Sequence, residues 1–409
     1  MTITRTTKTL PCLRFPEFTG DWQARKLGDF IIEKKHNAPE NIPLYSLTIE
    51  KGVTEKTERY ERGFLVKSED EAYKLVENND FAYNPMNLRF GALARYTGIK
   101  PVKVSKYYDI FCLDKSVDAF FIECFLKNYN SMKYYNRMAM GSLFEKTRLH
   151  FSDFLKFIFP IPSITEQKKI ASFLDTIDKR LTELRRKQEL LQTYKRGVIR
   201  EVFIHKIGSQ KNKKTPSFRF NSFAGEWQPR KFKEFIVKKN TNASENIPLY
   251  SLTIENGVTE KTERYERSFL IKSEDEAYKL VESNDFVYNP MNVRLGALAR
   301  HKKDYSVKVS KYYDVFSLDQ SVDIDFVELL LKNRNSIQYY DHMAAGSLIE
   351  KKRLHFVDFL QFTFLLPCIE EQEKIADFLT AIDQKIEAVA RQVDRTEQFK
   401  KGLLQKMFV

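Results

Sequence analysis

Few residue patterns in this sequence could support catalysis. The stretch "GSQKNKKT", beginning at Gly208, resembles a phosphate-binding loop, but Lys213 stands where such a loop needs its second glycine. The stretch "SEDEAYK", beginning at Ser68, groups carboxylates and a lysine as nuclease sites do. However, Ser68 followed by Glu71 is also the capping box that begins a helix, and this interpretation needs fewer assumptions. Neither stretch predicts a catalytic site.

A third stretch, "YNPM" at Tyr83, is similar to the short Asn-Pro-Pro-aromatic motif that holds the target adenine in amino-methyltransferases. Met86 replaces the second proline, Asn87 replaces the aromatic residue, and the sequence has no glycine-rich cofactor loop after an upstream strand. The four cysteines lack metal-ligand spacing, and of the six histidines only His150 has an equivalent, His355, in the repeat described below. We therefore expect no metal site and no catalytic residue.

Composition favours a protein that works in the cytoplasm on a polyanion. The 409 residues carry a formal net charge of +13, and lysine and arginine gain affinity for phosphates by releasing counterions. A merely basic protein is the alternative. The longest apolar stretch, "FLQFTFLLPCI" from Phe359, is too short to span a bilayer, and the N-terminal residues lack the apolar region of a signal peptide.

An internal repeat dominates the sequence. The phrase "NDFAYNPMNLRFGALAR", residues 79–95, recurs 205 positions later as "NDFVYNPMNVRLGALAR", residues 284–300. The same offset holds from Arg14 to Phe203 with no net insertion, and 51 of the 59 positions between Asn37 and Arg95 are identical in the second copy. The chain therefore consists of two tandem copies of one unit.

The first part of each copy mixes strand-like and helical segments. Residues 42–49 and 102–113 are rich in β-branched and aromatic residues and predict strands. The capping box at Ser68 predicts a helix through "SEDEAYKLVE", and residues 118–138 read as one further amphipathic helix. A fold of the α+β class is expected for this part.

The second part of each copy, residues 165–203 and their equivalents, predicts a coiled coil. Apolar residues alternate at four-residue and three-residue spacing, with charged residues on the outer faces. An amphipathic helix lying on a globular core is the alternative. The predicted seam consists of Ile170, Leu174, Ile177, Leu181, Leu184 and Leu191 in the first copy, and Ile375, Leu379, Ile382, Ile386, Val389 and Val393 in the second.

Three segments, in order, resemble the specificity subunits of Type I restriction-modification systems. They are "WQARKLGDF", then "YNPMNLRFGALAR" followed by "KVSKYYDIF", and then "GSLFEKTRLHFSDFLKFIFPIPSITEQKKIASFLDTIDKRL". The most specific signal is the proline-containing segment leading into "EQKKIASFLDTID" and its twin "EQEKIADFLTAID". The resemblance covers nearly the whole chain, twice.

This resemblance implies a pseudo-two-fold α+β architecture, with two target-recognition domains separated by two long helices that form an antiparallel coiled coil. It implies recognition domains at residues 1–164 and 208–369, and spacer helices at 165–207 and 370–409. It also implies a chain without catalysis of its own, which binds double-stranded DNA and docks modification subunits, two per chain, and restriction subunits. S-adenosylmethionine, ATP and Mg are expected on those partners, which methylate adenine N6 and translocate DNA.

The near-identity of the two copies predicts a bipartite target whose halves are inverted repeats or nearly so. A helix of 34 residues spans about 50 Å, so the helices would set the spacing between half-sites. Local differences could break the symmetry: "YTGIKP" at Tyr96 against "HKKDYS" at His301, Lys51 against Asn256, and Asn136-Arg137 against Asp341-His342.

Side-chain chemistry suggests which residues contact DNA, since Arg, Asn, Ser and Tyr can read base edges while Lys mostly positions phosphates. A packing or turn role is the alternative for each of them. The candidates near bases are Tyr45, Ser46, Asn84, Asn87, Arg89 and Arg95, with Tyr250, Ser251, Asn289, Asn292, Arg294 and Arg300. The candidates for backbone contacts are Lys106, Tyr108, Ser142, Lys146 and Arg148, with Lys311, Tyr313, Ser347, Lys351 and Arg353.

Two other functions stay open on the sequence alone. One is a methyltransferase or nuclease fusion with an unrecognised active site. Activity of the purified chain with DNA and S-adenosylmethionine, without partners, would indicate it. The other is a coiled-coil scaffold that binds only proteins, which salt-dependent binding to duplex DNA would argue against.

Overall fold

A computed structural model describes residues 10–55, 73–139, 148–203, 216, 218–260, 278–346 and 352–408. The chain forms two compact units, one made of Met1–Arg185 with Arg391–Val409 and the other of Arg186–Ala390. Each unit combines one sheet domain with parts of two long helices, α4 (Ile164–Val202) and α8 (Ile369–Met407).

The first sheet domain lies between Gln23 and Ile161. Its strands are β1 (Gln23–Lys26), β2 (Ile31–Lys34), β3 (Tyr45–Thr48), β4 (Gly52–Glu55), β5 (Tyr73–Val76), β6 (Phe81–Tyr83), β7 (Leu93–Arg95), β8 (Val102–Ser105), β9 (Asp109–Leu113) and β10 (Ile158–Ile161). Its helices are α1 (Ala119–Leu126), α2 (Tyr129–Met138) and α3 (Phe151–Phe154), with 3-10 turns at Leu27–Asp29 and Leu88–Phe90.

The second sheet domain repeats these elements between Gln228 and Leu366. Its strands are β11 (Gln228–Lys231), β12 (Ile236–Lys239), β13 (Tyr250–Thr253), β14 (Gly257–Glu260), β15 (Tyr278–Val281), β16 (Phe286–Tyr288), β17 (Leu298–Arg300), β18 (Val307–Ser310), β19 (Asp314–Leu318) and β20 (Thr363–Leu366). Its helices are α5 (Ile324–Lys332), α6 (Arg334–Met343) and α7 (Phe356–Phe359), with 3-10 turns at Phe232–Glu234 and Val293–Leu295.

A four-stranded antiparallel sheet forms the centre of each sheet domain. In the first the order is β2-β9-β6-β7, and the pairs β1-β10, β3-β4 and β5-β8 flank it. Aromatic side chains fill its core: Phe81 stacks on Phe111 at 5.0 Å, and Tyr83 packs against Phe154 at 5.1 Å. The same pattern recurs in the second sheet domain, where Phe286 stacks on Phe316 at 5.1 Å.

Three predicted elements differ from those observed. The helix predicted through "SEDEAYKLVE" is wrong over Tyr73–Val76, which is strand β5 and pairs with β8; Ser68 and Glu71 lie outside the described residues. The strand predicted over 102–113 is interrupted by a turn into β8 and β9. The single helix predicted over 118–138 is two helices, because the Asn128 side chain accepts from Ser131 N–H and caps α2.

The long helices pack antiparallel within each unit. In the first unit Lys400 pairs with Asp178, and Arg185 Nη2 lies 2.6 Å from Glu397 Oε1. Residues later in α4 therefore contact residues earlier in α8, as in antiparallel helices. In the second unit Lys195 Nζ lies 2.6 Å from Asp383 Oδ2. Of the predicted seam positions, Leu191 and Ile386 are half-buried, and those buried are Ile170, Leu174, Ile177, Leu181, Leu184, Ile375, Leu379, Ile382, Val389 and Val393.

The first turn of each long helix is fixed to its sheet domain by a buried Glu-Gln pair. Arg14 donates to both carboxylate oxygens of Glu166 at 2.7 Å, and this contact raises the pKa of Arg14. Trp22 Nε1 also donates to Glu166. Gln167 accepts from Asp118 N–H at 2.8 Å and donates to a proline carbonyl. These contacts explain why "EQ" stands at this position of both copies.

The last residues of each helix also enter a sheet-domain core. In the first unit Phe408 packs against Phe121 at 5.4 Å and Phe125 at 5.8 Å. In the second unit Phe203 packs against Phe326 at 5.4 Å. Each sheet domain is therefore completed by the helix end of the other copy. Both predicted arrangements therefore occur on each long helix. One part packs on a sheet-domain core, and another part pairs with the other long helix.

Candidate nucleic-acid interface

The repeated phrase forms a hairpin, strand β6, a tight loop and strand β7. Asn84 builds the loop, because its side chain accepts from Met86 N–H at 3.0 Å and its carbonyl accepts from Asn87 N–H and Leu88 N–H. Gly91 closes the loop with φ of 94°, and a Cβ there would lie 2.8 Å from Met132 Cε. The second sheet domain repeats this with Asn289, which accepts from Met291 N–H.

Hydrogen bonds hold this loop on the rest of the domain. Tyr83, fully buried, donates its hydroxyl to the Leu149 carbonyl, and Leu149 N–H donates to the Pro85 carbonyl at 3.0 Å. Burial raises the pKa of Tyr83, so it remains a donor. Arg148, exposed and adjacent to Leu149, is thereby placed beside the loop. The equivalent is Arg353; Ser142, Lys146, Ser347 and Lys351 lie outside the described residues.

The start of the phrase is fixed by a charge cluster. Lys34 Nζ lies 2.8 Å from Glu77 Oε2 and 2.9 Å from Asp80 Oδ2, and Asp80 also accepts from Glu77 N–H. Burial raises the pKa of Asp80. Burial also disfavours the charged form of Lys34, but the hydrogen bonds to Glu77 and Asp80 outweigh this effect and raise the pKa of Lys34. Asn79 takes a left-handed φ of 66° in the same turn. The cluster joins β2 to the turn before β6 and so fixes the position of the hairpin on the sheet domain.

The loop presents polar and apolar side chains to solvent. Asn87 is exposed, and Met86 and Phe90 are 43% and 44% exposed. Arg89, half-buried, lies over the Phe90 ring at 4.5 Å. In the second sheet domain Arg294 instead pairs with Asp341 at 3.2 Å, Asn292 is exposed, and Leu295 replaces the phenylalanine.

Two predicted contact tyrosines pack within the first sheet domain. Tyr45 and Tyr108 are half-buried against a small apolar core that contains Leu47 and Val104. Burial raises the pKa of Tyr108. Ser46, also half-buried, faces its partner Thr54 across the β3-β4 pair. Their equivalents Tyr250, Ser251 and Tyr313 occupy the same half-buried positions.

A further predicted base reader, Arg95, is engaged inside the domain. Arg95 Nε lies 3.2 Å from Glu123 Oε2, and its Nη1 donates to Asn79 Oδ1 at 2.6 Å. Arg300 contacts two carboxylates, Asp325 and Glu328. With these contacts kept, either arginine could read a base only through its remaining N–H groups.

The turn between β8 and β9 contains an aromatic residue that sequence reasoning missed. Tyr107 is 76% exposed beside the exposed Lys106, and the equivalents Tyr312 and Lys311 are placed alike. An exposed tyrosine next to a lysine suits a nucleic-acid backbone. Its signal in the sequence was the doubled "YY" after a strand, of which one residue packs inward and the other faces solvent.

Within the described ranges, the chain has no group of three or more His, Cys, Asp or Glu side chains that could hold a metal ion. Among the same residues, no helix is long and apolar enough to cross a membrane.

The family model and the relative that match this chain both carry descriptions of Type I restriction specificity proteins. Residues 19–192 match the family described as Type I restriction modification DNA specificity domain. The chain is 24% identical to a protein provisionally named as the MjaX Type I restriction enzyme specificity subunit of Methanocaldococcus jannaschii, over 95% of this chain and 93% of that one.

Two solved structures share the fold. The S subunit of a Type I restriction-modification system from M. genitalium is 13% identical, with a TM-score of 0.56 and coverage of 98% of this chain and 99% of that one. A structure concerned with complex assembly and conformational transition of the Type I R-M system is 14% identical, with a TM-score of 0.56 and coverage of 95% and 97%. One copy thus matches the family described as Type I restriction modification DNA specificity domain over residues 19–192, and the second copy repeats that sequence.

Proposed function

We propose that this chain is the sequence-reading subunit of a Type I restriction-modification complex. Each sheet domain would read one half of a bipartite DNA target. The two long helices would set the distance between the halves and dock two modification subunits that methylate adenine N6. S-adenosylmethionine, ATP and Mg would be bound by the partner subunits, and this chain would perform no catalysis.

One observation carries this proposal: the chain presents the same hairpin loop twice, each time on a sheet domain joined to both long helices. The side chains around that loop, Asn87, Arg89 and Arg148, can contact bases and phosphates, and the net charge of +13 favours a polyanion. The packing of the loop on Leu149 and α2 supports a contact surface of fixed shape. A fixed shape lowers the entropy cost of binding.

Binding of the full chain to duplex DNA tests the first part. We expect affinity to fall steeply as salt rises, with a log-log slope of about −0.9 for each phosphate contact. A pool of random duplexes should yield a bipartite consensus after repeated selection. Binding that is insensitive to salt would contradict the proposal and favour a scaffold that binds only proteins.

Methylation tests the second part. The chain alone, incubated with DNA and labelled S-adenosylmethionine, should transfer no label, whereas the chain with its modification subunits should label adenine at the selected consensus. Mapping methylated adenines in cells that contain both proteins then gives the target and its spacer. Label transfer by the chain alone would overturn the non-catalytic role and support the fusion enzyme.

A further inference from the structure

The longest run of differing positions between the two sheet domains is a single loop. Between Asn37 and Arg95, 51 of 59 positions agree, and "VKVSKYYD" after Val102 recurs unchanged after Val307. Between these identical stretches, residues 96–101 are "YTGIKP" and residues 301–306 are "HKKDYS", with no position in common. This run of six lies in the connection between β7 and β8 and its equivalent, while shorter differences occur elsewhere in the two domains.

In the first sheet domain this loop borders an open polar cavity of about 470 Å³. Ligand pockets fall in the range of about 300–1,000 Å³. Tyr96 orders the loop by donating its hydroxyl to the Lys100 carbonyl at 2.7 Å, and a Cβ at Gly98 would lie 2.1 Å from that hydroxyl. The side chains that argue for a site are Tyr45, Lys51, Arg95, Tyr96, Glu123 and Lys127.

The equivalent tyrosine of the second sheet domain is already engaged. Tyr250 shares a hydrogen bond of 2.8 Å with the hydroxyl of Tyr305, and the two rings lie 6.4 Å apart. This hydrogen bond raises the pKa of Tyr250 to about 12. His301 stands where Tyr96 does, and its Nε2 lies 2.7 Å from the Tyr305 carbonyl. The second loop thus folds onto Tyr250, whose equivalent in the first domain, Tyr45, lines the cavity.

Two residues outside the loop differ in the same place, and both change the charge. Lys51 is replaced by Asn256, and Phe120, which lies 5.7 Å from the Arg95 guanidinium, is replaced by Asp325, which pairs with Arg300. Each replacement makes the second site more negative by one unit, a difference of two charges. Packing within the loop explains why Gly98 occurs together with Tyr96. It does not explain the replacement of Lys51 and of Phe120.

We propose that the cavity beside Tyr45 and Tyr96 receives a nucleotide that only the first sheet domain contacts. The two half-sites would then share a common part and differ at the one or two base pairs next to it. The inference rests on the proposed function. The chemistry fits a nucleotide, since Lys51 and Lys127, which line the cavity, can meet a phosphate.

Selection of bound sequences from random duplex DNA by the full chain tests this. We expect two halves with a shared part and a difference of one or two adjacent base pairs. Two identical halves, or halves unrelated throughout, would overturn the proposal while leaving DNA recognition intact. Recovery of no consensus at all would contradict the proposed function itself, and with it this inference.

Transfer of the second site into the first sharpens the test. Replacing residues 96–101 by "HKKDYS" together with Lys51→Asn and Phe120→Asp should make the two selected halves converge. A separate Lys51→Asn variant, at an exposed position, guards against misfolding of the exchanged loop. It should weaken binding to the wild-type site by roughly threefold to tenfold, as for loss of one phosphate contact.

A matched control uses another exposed lysine that differs between the copies. Lys115→Gln introduces the residue found at Gln320, removes the same charge as Lys51→Asn and lies outside the cavity lining. It should leave the affinity and both selected halves unchanged. If exchange of Phe90→Leu with Asn136→Asp makes the halves converge and the loop exchange does not, the asymmetry lies at the hairpin loop and the proposal is wrong.

Discussion

Arginines at equivalent positions in the two sheet domains have different partners. Arg89 lies over Phe90, whereas Arg294 is held by Asp341 from α6. Arg95 pairs with Glu123, whereas Arg300 pairs with two carboxylates. A carboxylate engages only part of a guanidinium, whose remaining N–H donors can still reach guanine. Arg89 and Arg294 therefore both remain candidates for base recognition.

Alanine substitution distinguishes base reading from phosphate contact. Arg89→Ala should lower specific binding by about 1–3 kcal/mol and leave binding to random DNA nearly unchanged. Arg294→Ala should show the same selective loss, because the contact with Asp341 occupies only part of the guanidinium. Titration of labelled target and random duplexes gives both values. Equal losses on the two duplexes would make Arg89 a phosphate contact.

The buried Glu166 offers a test of stability rather than recognition. Glu166→Ala leaves Arg14 and Trp22 without their acceptor in a buried place, so the free energy of unfolding should fall by about 3–5 kcal/mol. Urea unfolding measures this loss.

Asp175→Ala is the matched control for Glu166→Ala, because it breaks an exposed pair with Lys179 further along the same helix and should cost about 0.5 kcal/mol or less. Similar losses in the two variants would show that Glu166 is not the anchor of α4.

For single residues, the sequence indicates which side chains can form hydrogen bonds better than it indicates which partners they bind. Asn84 was a candidate base reader with a turn as its alternative, and its side chain does form that turn. A turn depends on neighbours in the sequence, which is why the alternative could be stated. The pairing of Arg95 with Glu123 joins residues 28 positions apart, and nothing local in the sequence indicates it.

At the scale of elements, the long helices were predictable and some short elements were not. Apolar spacing over several heptads determines a helix whatever surrounds it. Tyr73–Val76 followed an apparent helix start, yet pairing with β8 determines its strand conformation. The break between α1 and α2 depends on Asn128, whose carboxamide caps the second helix while its Nδ2 donates back to the Phe125 carbonyl.

The aromatic cores of the elements predict alkaline sensitivity. Burial raises the pKa of Tyr83, Tyr135, Tyr288 and Tyr340, so the folded chain keeps these protons while the unfolded chain loses them above about pH 10. The free energy of unfolding should therefore fall as pH rises beyond that value, by about 1.4 kcal/mol per pH unit for each tyrosine. Urea unfolding between about pH 8.5 and 11 measures the slope.

Removal of one such phenol should make the slope shallower. Tyr83→Phe loses the hydrogen bond to Leu149, which should cost about 1 kcal/mol at neutral pH. In alkali, however, its free energy of unfolding should fall less steeply with pH than that of the wild-type chain. Tyr107→Phe, at an exposed position, should change neither quantity. An unaltered slope in Tyr83→Phe would show that this phenol is not the source.

At the scale of the whole molecule, helix length is the property that should relate to the target. Adding one heptad after Arg185 in α4 and one after Ala390 in α8 lengthens each helix by about 10 Å and keeps the seam in phase. We expect the spacer of the selected DNA target to grow by about three base pairs, with both half-sites unchanged. A heptad in α4 alone, which shifts the pairing of Lys195 with Asp383, should abolish specific binding instead.

The docking of Phe408 on Phe121 and Phe125 has a consequence for how the molecule is made. The second unit, Arg186–Ala390, is continuous in sequence, whereas the first also needs Arg391–Val409. A chain emerging from the ribosome makes the N-terminal sheet domain first, yet its aromatic core stays open until Phe408 has been synthesised. The unit that is translated first is therefore the last to be completed.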